Sequence, residues 1–485
     1  MGYVWGSSRE QGMLFPSRLE DFVGENNPVR VIDGFIGFLK FDELGFVRAE
    51  PAERGRPGYD PRVLLGIYLW GHLNGVRSSR RLERECGRNV ELMWLTGQLQ
   101  PDFKTLCRFR EENGEAIKKV LMQFRKWAVG AELYGKELVA IDGSKFKAVN
   151  SRQRNVTRVQ LEKLIARERA SVERYLEDLQ EADEREGEDE VRELTVEELR
   201  EKIATIAEFL RGPEEMLAEM KEGGETQRSL TDPDARLMKT AEGMAVSYNV
   251  QTAVDSKHKL IAAVEVTNAV ADQGLLAHMA EEAREGLGAE ELSVVADGGY
   301  FGYDDLEECE EKGITTYVPV PELGRNQKEN GLFTREQFTY DEERDVYICP
   351  QGEELRVVAK GKRKERNNKE YKSYRTKACG GCPLRDQCTK SKRGRQIRRW
   401  TNHGVLERLQ ARIKSHPEIL KQRKALSEHP FGTIKVAMNH ERLLLKGLKK
   451  VATEINLTVL CYNLKRVTSI LGVPGTINQL RAQTT

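Results

Sequence analysis

Apolar and polar positions along this 485-residue chain fall into blocks of different period. From about residue 15 to residue 130 the apolar positions recur at helical spacing. Pro61-Arg-Val-Leu-Leu-Gly-Ile-Tyr-Leu-Trp70 predicts an apolar helix after a turn at Arg56-Pro-Gly-Tyr-Asp60. Ser78-Ser-Arg-Arg-Leu-Glu-Arg predicts a basic helix with a serine cap, and Pro101 to Arg110 predicts another. Short arginine-bearing helices with small turns suit a helix-turn-helix-like DNA reader or a plain helical bundle. From about Val156 to Glu222 the texture is charged and helical. Leu161, Leu164, Val172, Leu176 and Leu179 form one apolar stripe, and Leu199, Ile203, Ile206 and Leu210 form a second. A turn near Glu186-Gly-Glu-Asp189 would fold them into an antiparallel hairpin, and Gly212-Pro213 is expected to break its second arm.

Between and after these blocks the period changes to that of strands. The segment from Lys136 to Phe146 predicts a first strand, and Ala245–Val254 with Leu260–Val266 predicts a hairpin. A helix from Gln273 to Leu287, a strand from Leu292 to Ala296, a helix from Tyr303 to Lys312 and a strand from Ile314 to Val320 follow. The order β-β-β-α-β-α-β, with acids ending the first and fourth strands, is the ribonuclease H-like (retroviral-integrase-like) arrangement. The predicted fold class is therefore α/β: such a core, an all-α N-terminal domain, a charged helical-hairpin insertion and a Cys-rich basic insertion. The corresponding boundaries are 1–130 for the helical DNA-binding domain and 131–154 with 226–324 for the first parts of the core. Residues 155–225 form the charged insertion, 325–402 the basic Cys-rich insertion, and 403–485 the C-terminal helices that complete the core.

Net charge is only +1, but the charge is segregated. Residues 155–225 carry 11 Lys/Arg against 22 Asp/Glu, whereas Arg356 to Arg399 carries 17 against 3. So basic a block is an electrostatic footprint for phosphate, or else a solvated lysine-rich loop. No window approaches the roughly 18 apolar residues of a membrane span. Met1-Gly-Tyr-Val-Trp lacks a basic region followed by an apolar core, so a cytoplasmic, nucleoid-associated location without membrane contact is expected. Four of the eight cysteines, Cys349, Cys379, Cys382 and Cys388, lie close together in sequence. The Cys379-Gly-Gly-Cys382 knuckle suits structural Zn²⁺, with an iron–sulfur cluster or four free thiols as alternatives.

The candidate chemistry lies in three segments: Val139-Ala-Ile-Asp142-Gly-Ser, Val294-Val-Ala-Asp297-Gly-Gly-Tyr300 and Glu428-His-Pro-Phe-Gly-Thr-Ile-Lys435. Carboxylates gathered from distant parts of a chain repel one another unless a cation neutralises them. Asp142, Asp297 and Glu428 are therefore expected to hold two Mg²⁺ or Mn²⁺ ions for phosphoryl transfer. Each Asp-Gly pair alone is equally an ordinary turn after a strand. Arg423, His429 and Lys435 around the glutamate, and Arg77, Arg80 and Arg81 near the N-terminus, are candidate DNA contacts. Lys435 lies seven residues after Glu428, so an unbroken helix would put both on one face. Asp232, Asp234 and Asp255 read as turn and cap residues.

These segments resemble bacterial insertion-sequence transposases of the DDE class with an InsH-type N-terminal domain. The resemblance is carried by Arg56-Pro-Gly-Tyr-Asp-Pro-Arg62, Gly75-Val-Arg-Ser-Ser-Arg80, Leu230-Thr-Asp-Pro-Asp-Ala-Arg-Leu-Met238 and Tyr248-Asn-Val-Gln-Thr-Ala-Val-Asp255, besides the three acids. It implies an enzyme working as a homodimer in the family's manner, acting on double-stranded DNA at terminal inverted repeats and at a target. Related enzymes place a tyrosine, an arginine and a lysine around the glutamate; here Leu420 stands at the tyrosine position. A nuclease without strand transfer and an idle, transposase-derived DNA-binding regulator are the alternative readings.

Overall fold

A computed structural model describes residues 18–47, 58–150, 155–184, 196–322, 325–363 and 369–483. The N-terminal part is helical: α1 (Val29–Phe38), α2 (Phe41–Leu44), α3 (Pro61–Leu73), α4 (Ser79–Cys86), α5 (Val90–Thr96), α6 (Phe103–Glu112) and α7 (Gly114–Gly130). Local chemistry fixes several starts. Asp60 caps α3 ahead of Pro61, Asn89 caps α5 and Asp102 caps α6, each carboxylate or amide oxygen accepting a free N–H of the first turn.

The central sheet contains β1 (Leu138–Lys147), β4 (Arg236–Thr240), β5 (Gly243–Asp255), β6 (Ile261–Thr267), β7 (Leu292–Val295) and β8 (Ile314–Tyr317). Two short strands, β2 (Asn155–Thr157) and β3 (Gln227–Ser229), pair with each other outside it. The order is β4-β5-β1-β7-β8, with β6 also on β5; β5 runs antiparallel to β1, whereas β7 and β8 run parallel to it. Between β2 and β3 run α8 (Arg158–Glu184) and α9 (Val196–Glu222), which pack on each other. The expected turn near residue 186 lies outside the described residues. Contrary to expectation, α9 runs straight through Pro213. The missing amide bond falls on a helix exposed over most of its surface, where the orphaned carbonyl is open to solvent.

Helices cover both faces of the sheet. α10 (Leu276–Leu287) and the long C-terminal α16 (Leu448–Ala482), kinked at Gly472, pack on one face, with α16 also packed on α1, α3 and α7. α11 (Tyr303–Glu311) links β7 to β8. α14 (His403–Ser415) and α15 (Pro417–Gly432) cover the other face, where Leu138, Ala140, Val295, Tyr317 and Leu426 form a small cluster. α15 passes through Pro430 and widens into a π-turn at Thr433–Ala437. Residues 439–447 are not helical; there Leu443 is buried while Leu444 is exposed.

Between α11 and α14 lies a second unit. It begins with α12 (Arg325–Glu329) and contains a five-stranded antiparallel sheet in the order β13-β12-β11-β10-β9. Its strands are β9 (Thr339–Asp341), β10 (Val346–Ile348), β11 (Glu354–Arg363), β12 (Lys369–Arg375) and β13 (Ile397–Trp400), with the one-turn α13 (Arg385–Cys388) before the last. A core of its own, made of Phe338, Tyr347, Leu355, Tyr374 and Ile397, holds this basic segment together.

Candidate active site

Register brings the two aspartates together. In the parallel β1–β7 pair Ala140 stands opposite Val295, so Asp142 and Asp297, each two residues further on, come level with one another. Beyond Ala140 the strand β1 stays paired with β5 as far as Lys147, which also bridges to Arg442, so Asp142 is not at its end as the sequence suggested. Asp297 caps the one-turn 3₁₀ helix Gly298–Tyr300, its carboxylate accepting from Gly299 N at 2.8 Å. Asp142 accepts from its neighbour Gly143 N at 2.8 Å and from Arg423 Nη1 at 3.4 Å.

Burial pushes the Asp142 carboxyl above its ordinary range, and the charge of Asp297 pushes the same way. Ser427, the Gly143 N–H and Arg423 oppose them. Ser427 is fully buried beside this carboxylate, although its hydroxyl makes no hydrogen bond of good geometry. Arg423 and Ser427, four apart on α15, therefore face Asp142, and the sequence pattern had not singled out the serine. Two oxygen donors that resist carrying their charges side by side suit a hard divalent cation. Among the described residues, however, no three His, Cys, Asp or Glu side chains are placed to hold one ion together.

Glu428 departs from expectation. It follows Ser427, and at about 100° per residue its side chain leaves the sheet; it is 65% exposed and pairs with Lys424 at 3.8 Å. Lys435 turns inward instead: Nζ donates to Ser144 Oγ (2.7 Å) and Lys145 O (2.9 Å) and lies over the Phe146 ring. The change to i→i+5 winding after Gly432 removes the common face that an unbroken α-helix would give these two residues. His429 is half-buried, its Nδ1 3.0 Å from the Tyr462 hydroxyl on α16. As placed, Lys435 and His429 serve the packing of α15 and its continuation rather than a phosphate.

The N-terminal arginines divide as well. Arg77 is a correction to the expected DNA contact: it is buried and donates to Glu454 Oε1 (2.7 Å), Arg442 O (2.8 Å) and Asn439 O (3.0 Å). A guanidinium buried among these partners does not face a backbone phosphate. Arg80 and Arg81 are exposed on α4, Arg80 lying over the Phe103 ring.

Cys349, Cys379, Cys382 and Cys388 line one small cavity together with Phe333, Phe338 and Leu355. Burial raises the Cys388 thiol, Arg395 opposes that, and the other three cysteines add to it. Arg385 donates to Cys379 O at 3.3 Å, tying down the knuckle. Gly394, at φ +81°, backs it: a Cβ there would lie 2.8 Å from Cys379 Cβ. Four thiols around one cavity are a donor set of the right chemistry for zinc, although as placed they are not close enough to share an ion.

Residues 348–468 match the family model described as a transposase DDE domain. Over this stretch the chain is similar to transposase DDE domains. Residues 17–112 match a second model, described as a transposase domain (DUF772), so the resemblance read from the sequence holds at both ends. The DDE-domain match contains Arg423, Glu428, Lys435 and the four cysteines, and the N-terminal match contains Arg77, Arg80 and Arg81. Asp142 and Asp297 lie outside both. No curated protein matches the chain. Among solved structures, the piggyBac transposase synaptic complex with hairpin DNA aligns at 10% identity and a TM-score of 0.33, covering 95% of this chain and 79% of that one. So loose a likeness carries no argument about fold or site. Among the described residues no helix is long and apolar enough to cross a membrane.

Proposed function

We propose that this chain is a DNA transposase that binds the terminal inverted repeats of an insertion sequence and cuts and joins DNA at Asp142 and Asp297, working as a dimer that holds two element ends. The observation that carries the reading is the levelling of these two aspartates on adjacent parallel strands. Support comes from the order β6-β5-β1-β7-β8, in which β5 alone runs against the other four, an arrangement that agrees with a ribonuclease H-like core. The transposase family matches at both ends of the chain agree with it.

Asp142 and Asp297 would hold Mg²⁺ or Mn²⁺, which when bound polarises the attacking and leaving oxygens of a phosphodiester. The chain's own part is positional. Gly143 N–H and Gly299 N–H orient the two carboxylates, and Arg423 works against the upward push of burial on Asp142 and offers a guanidinium beside the reacting phosphate. Glu428 would supply the third carboxylate from the helix turn that already touches Asp142, by a change of side-chain rotamer away from Lys424. The cysteine cavity would hold a structural Zn²⁺ that stiffens the basic sheet, and that sheet and the exposed α4 arginines would carry phosphate contacts.

The test is cleavage of linear DNA bearing the element ends, with Mg²⁺, by the parent and by Asp142→Ala, Asp297→Ala and Glu428→Ala. Loss of cut and joined products in all three, with end binding kept, supports the reading. Full activity in Glu428→Ala would place the third carboxylate elsewhere, and activity in either aspartate variant would overturn the site.

A further inference from the structure

Asp272, in the loop between β6 and α10, is a carboxylate that neither the sequence pattern nor the family matches single out. Its Oδ1 accepts three hydrogen bonds, from Asn249 Nδ2 (2.7 Å), Gln251 Nε2 (2.9 Å) and Lys145 Nζ (3.0 Å). Asn249 and Gln251 are fully buried on β5, and Lys145 extends from β1. The Lys145–Asp272 ion pair is itself mostly buried, at 15% and 25% exposure. Two polar residues inside the central strand of a sheet need such partners, because leaving them unpaired is costly.

The two ends of this network reach Gly143, next to Asp142, and Tyr300, which closes the turn that Asp297 opens. At one end it presses on the backbone just after Asp142. A Cβ on Gly143 would lie 2.3 Å from Gln251 Nε2, 2.8 Å from Asp272 Oδ1 and 2.9 Å from Asn249 Oδ1. The same Gly143 gives its N–H to Asp142 Oδ1. At the other end, Gln251 Oε1 accepts from the hydroxyl of Tyr300. Tyr300 is fully buried and closes the one-turn helix that Asp297 caps, with its own N–H bonded to Asp297 O at 3.2 Å.

We infer that Asp272 is a positioning residue that fixes the gap between the Asp142 and Asp297 carboxylates through Gln251 and Tyr300. The inference rests on the reading of these two aspartates as cation ligands. Asp272 does not reach the reacting atoms. It holds Gln251 so that the amide meets Gly143 on one side and Tyr300 on the other, which ties β1, β5 and the turn after β7 to one anchor. Outer groups that orient ligands commonly change metal affinity by about 10- to 100-fold when removed.

Tyr300→Phe tests this most cleanly, since it deletes one hydroxyl and keeps the packed ring. Mn²⁺ binding to the full chain would be followed by electron paramagnetic resonance of free Mn²⁺, beside Asp142→Ala, Asp272→Asn and thermal melts. The expected result is a loss of Mn²⁺ affinity of about tenfold or more in Tyr300→Phe, with melting temperature and affinity for end DNA as in the parent. Asp272→Asn should lose at least as much; if it does not fold, Tyr300→Phe decides alone. Parent-like Mn²⁺ affinity in Tyr300→Phe, with binding abolished in Asp142→Ala, would overturn the inference and leave the metal site standing. A parent protein with no Mn²⁺ site sensitive to Asp142→Ala would overturn the metal site itself, and the inference with it.

Discussion

Replacing Arg77 with methionine separates a structural arginine from a DNA-facing one. Methionine keeps most of the stem volume and deletes the guanidinium. Glu454 would then remain fully buried, with His440 Nε2 at 3.2 Å and the Leu444 and Leu445 N–H groups at 3.0 and 3.1 Å as its remaining partners. The carbonyls of Asn439 and Arg442 would lose their donor as well. Breaking a buried ion pair by removing one partner costs about 3–5 kcal/mol. With a urea dependence of about 2 kcal/mol per molar, that moves the unfolding midpoint down by roughly 2 M.

Acid adds a second signature. Burial alone would raise the Glu454 carboxyl, but His440, Arg77 and the Leu444 N–H outweigh it and bring it from 4.5 to about 2. A depressed carboxylate stabilises the fold above its unfolded pKa, and that contribution drains away as pH falls from about 4.5 toward 2. Without Arg77 the folded value rises, so stability should fall less steeply over this window. Urea titrations followed by tryptophan fluorescence at several pH values, with anisotropy on end DNA, make the comparison. An unchanged midpoint with weakened DNA binding would refute the reasoning and restore Arg77 to the DNA face.

Three further outcomes are expected. Pro213→Ala should stabilise the α8–α9 hairpin by up to about 3 kcal/mol, because it restores a backbone donor inside α9; unchanged helix melting by circular dichroism would contradict that. Arg80→Ala and Arg81→Ala together should leave the melting temperature within a few degrees and weaken DNA binding without regard to sequence. They should also flatten the slope of log affinity against log salt by about 0.9 for each phosphate no longer neutralised, and an unaltered slope would remove α4 from the interface. Purified protein should carry about one zinc per chain, lost in Cys379→Ser/Cys382→Ser along with protease resistance of residues 325–402; metal analysis that finds none would leave four free thiols.

Much of the core was legible because burial on both faces writes itself as an apolar run. Val139-Ala-Ile and Val294-Val-Ala announced two central strands, and the aspartate after each followed from them. The phase of α15 was not legible. Its apolar positions are too few to fix which residue looks inward, so Glu428 and Ser427 differ by one step that only packing against β1 decides. Arg77 misled for a different reason: beside Ser78 and Ser79 it resembles a surface cation, while its partner lies 377 residues away. The clue was Glu454, a lone acid inside the apolar stripe from Val451 to Leu464, which needs a buried cation. Asn249 and Gln251 gave a similar signal inside β5, since amides in a central strand imply a polar anchor such as Asp272.

The small β2–β3 ladder bears on how the chain comes together in time. Strand β1 ends at Lys147 and its antiparallel partner β5 begins only at Gly243, with the charged helical arms between them. Closing so long a loop from an open chain would delay the pairing that creates the centre of the sheet. The ladder pairs Asn155 with Ser229 at the neck of the arms, while α8 and α9 associate through local contacts and the Arg169–Glu214 ion pair. Once that neck is shut, β1 and β5 are separated by two short linkers instead of the whole insertion. The excursion thus adds little to the search for the central pairing, and an arm of almost any length could hang there without slowing the assembly of the sheet.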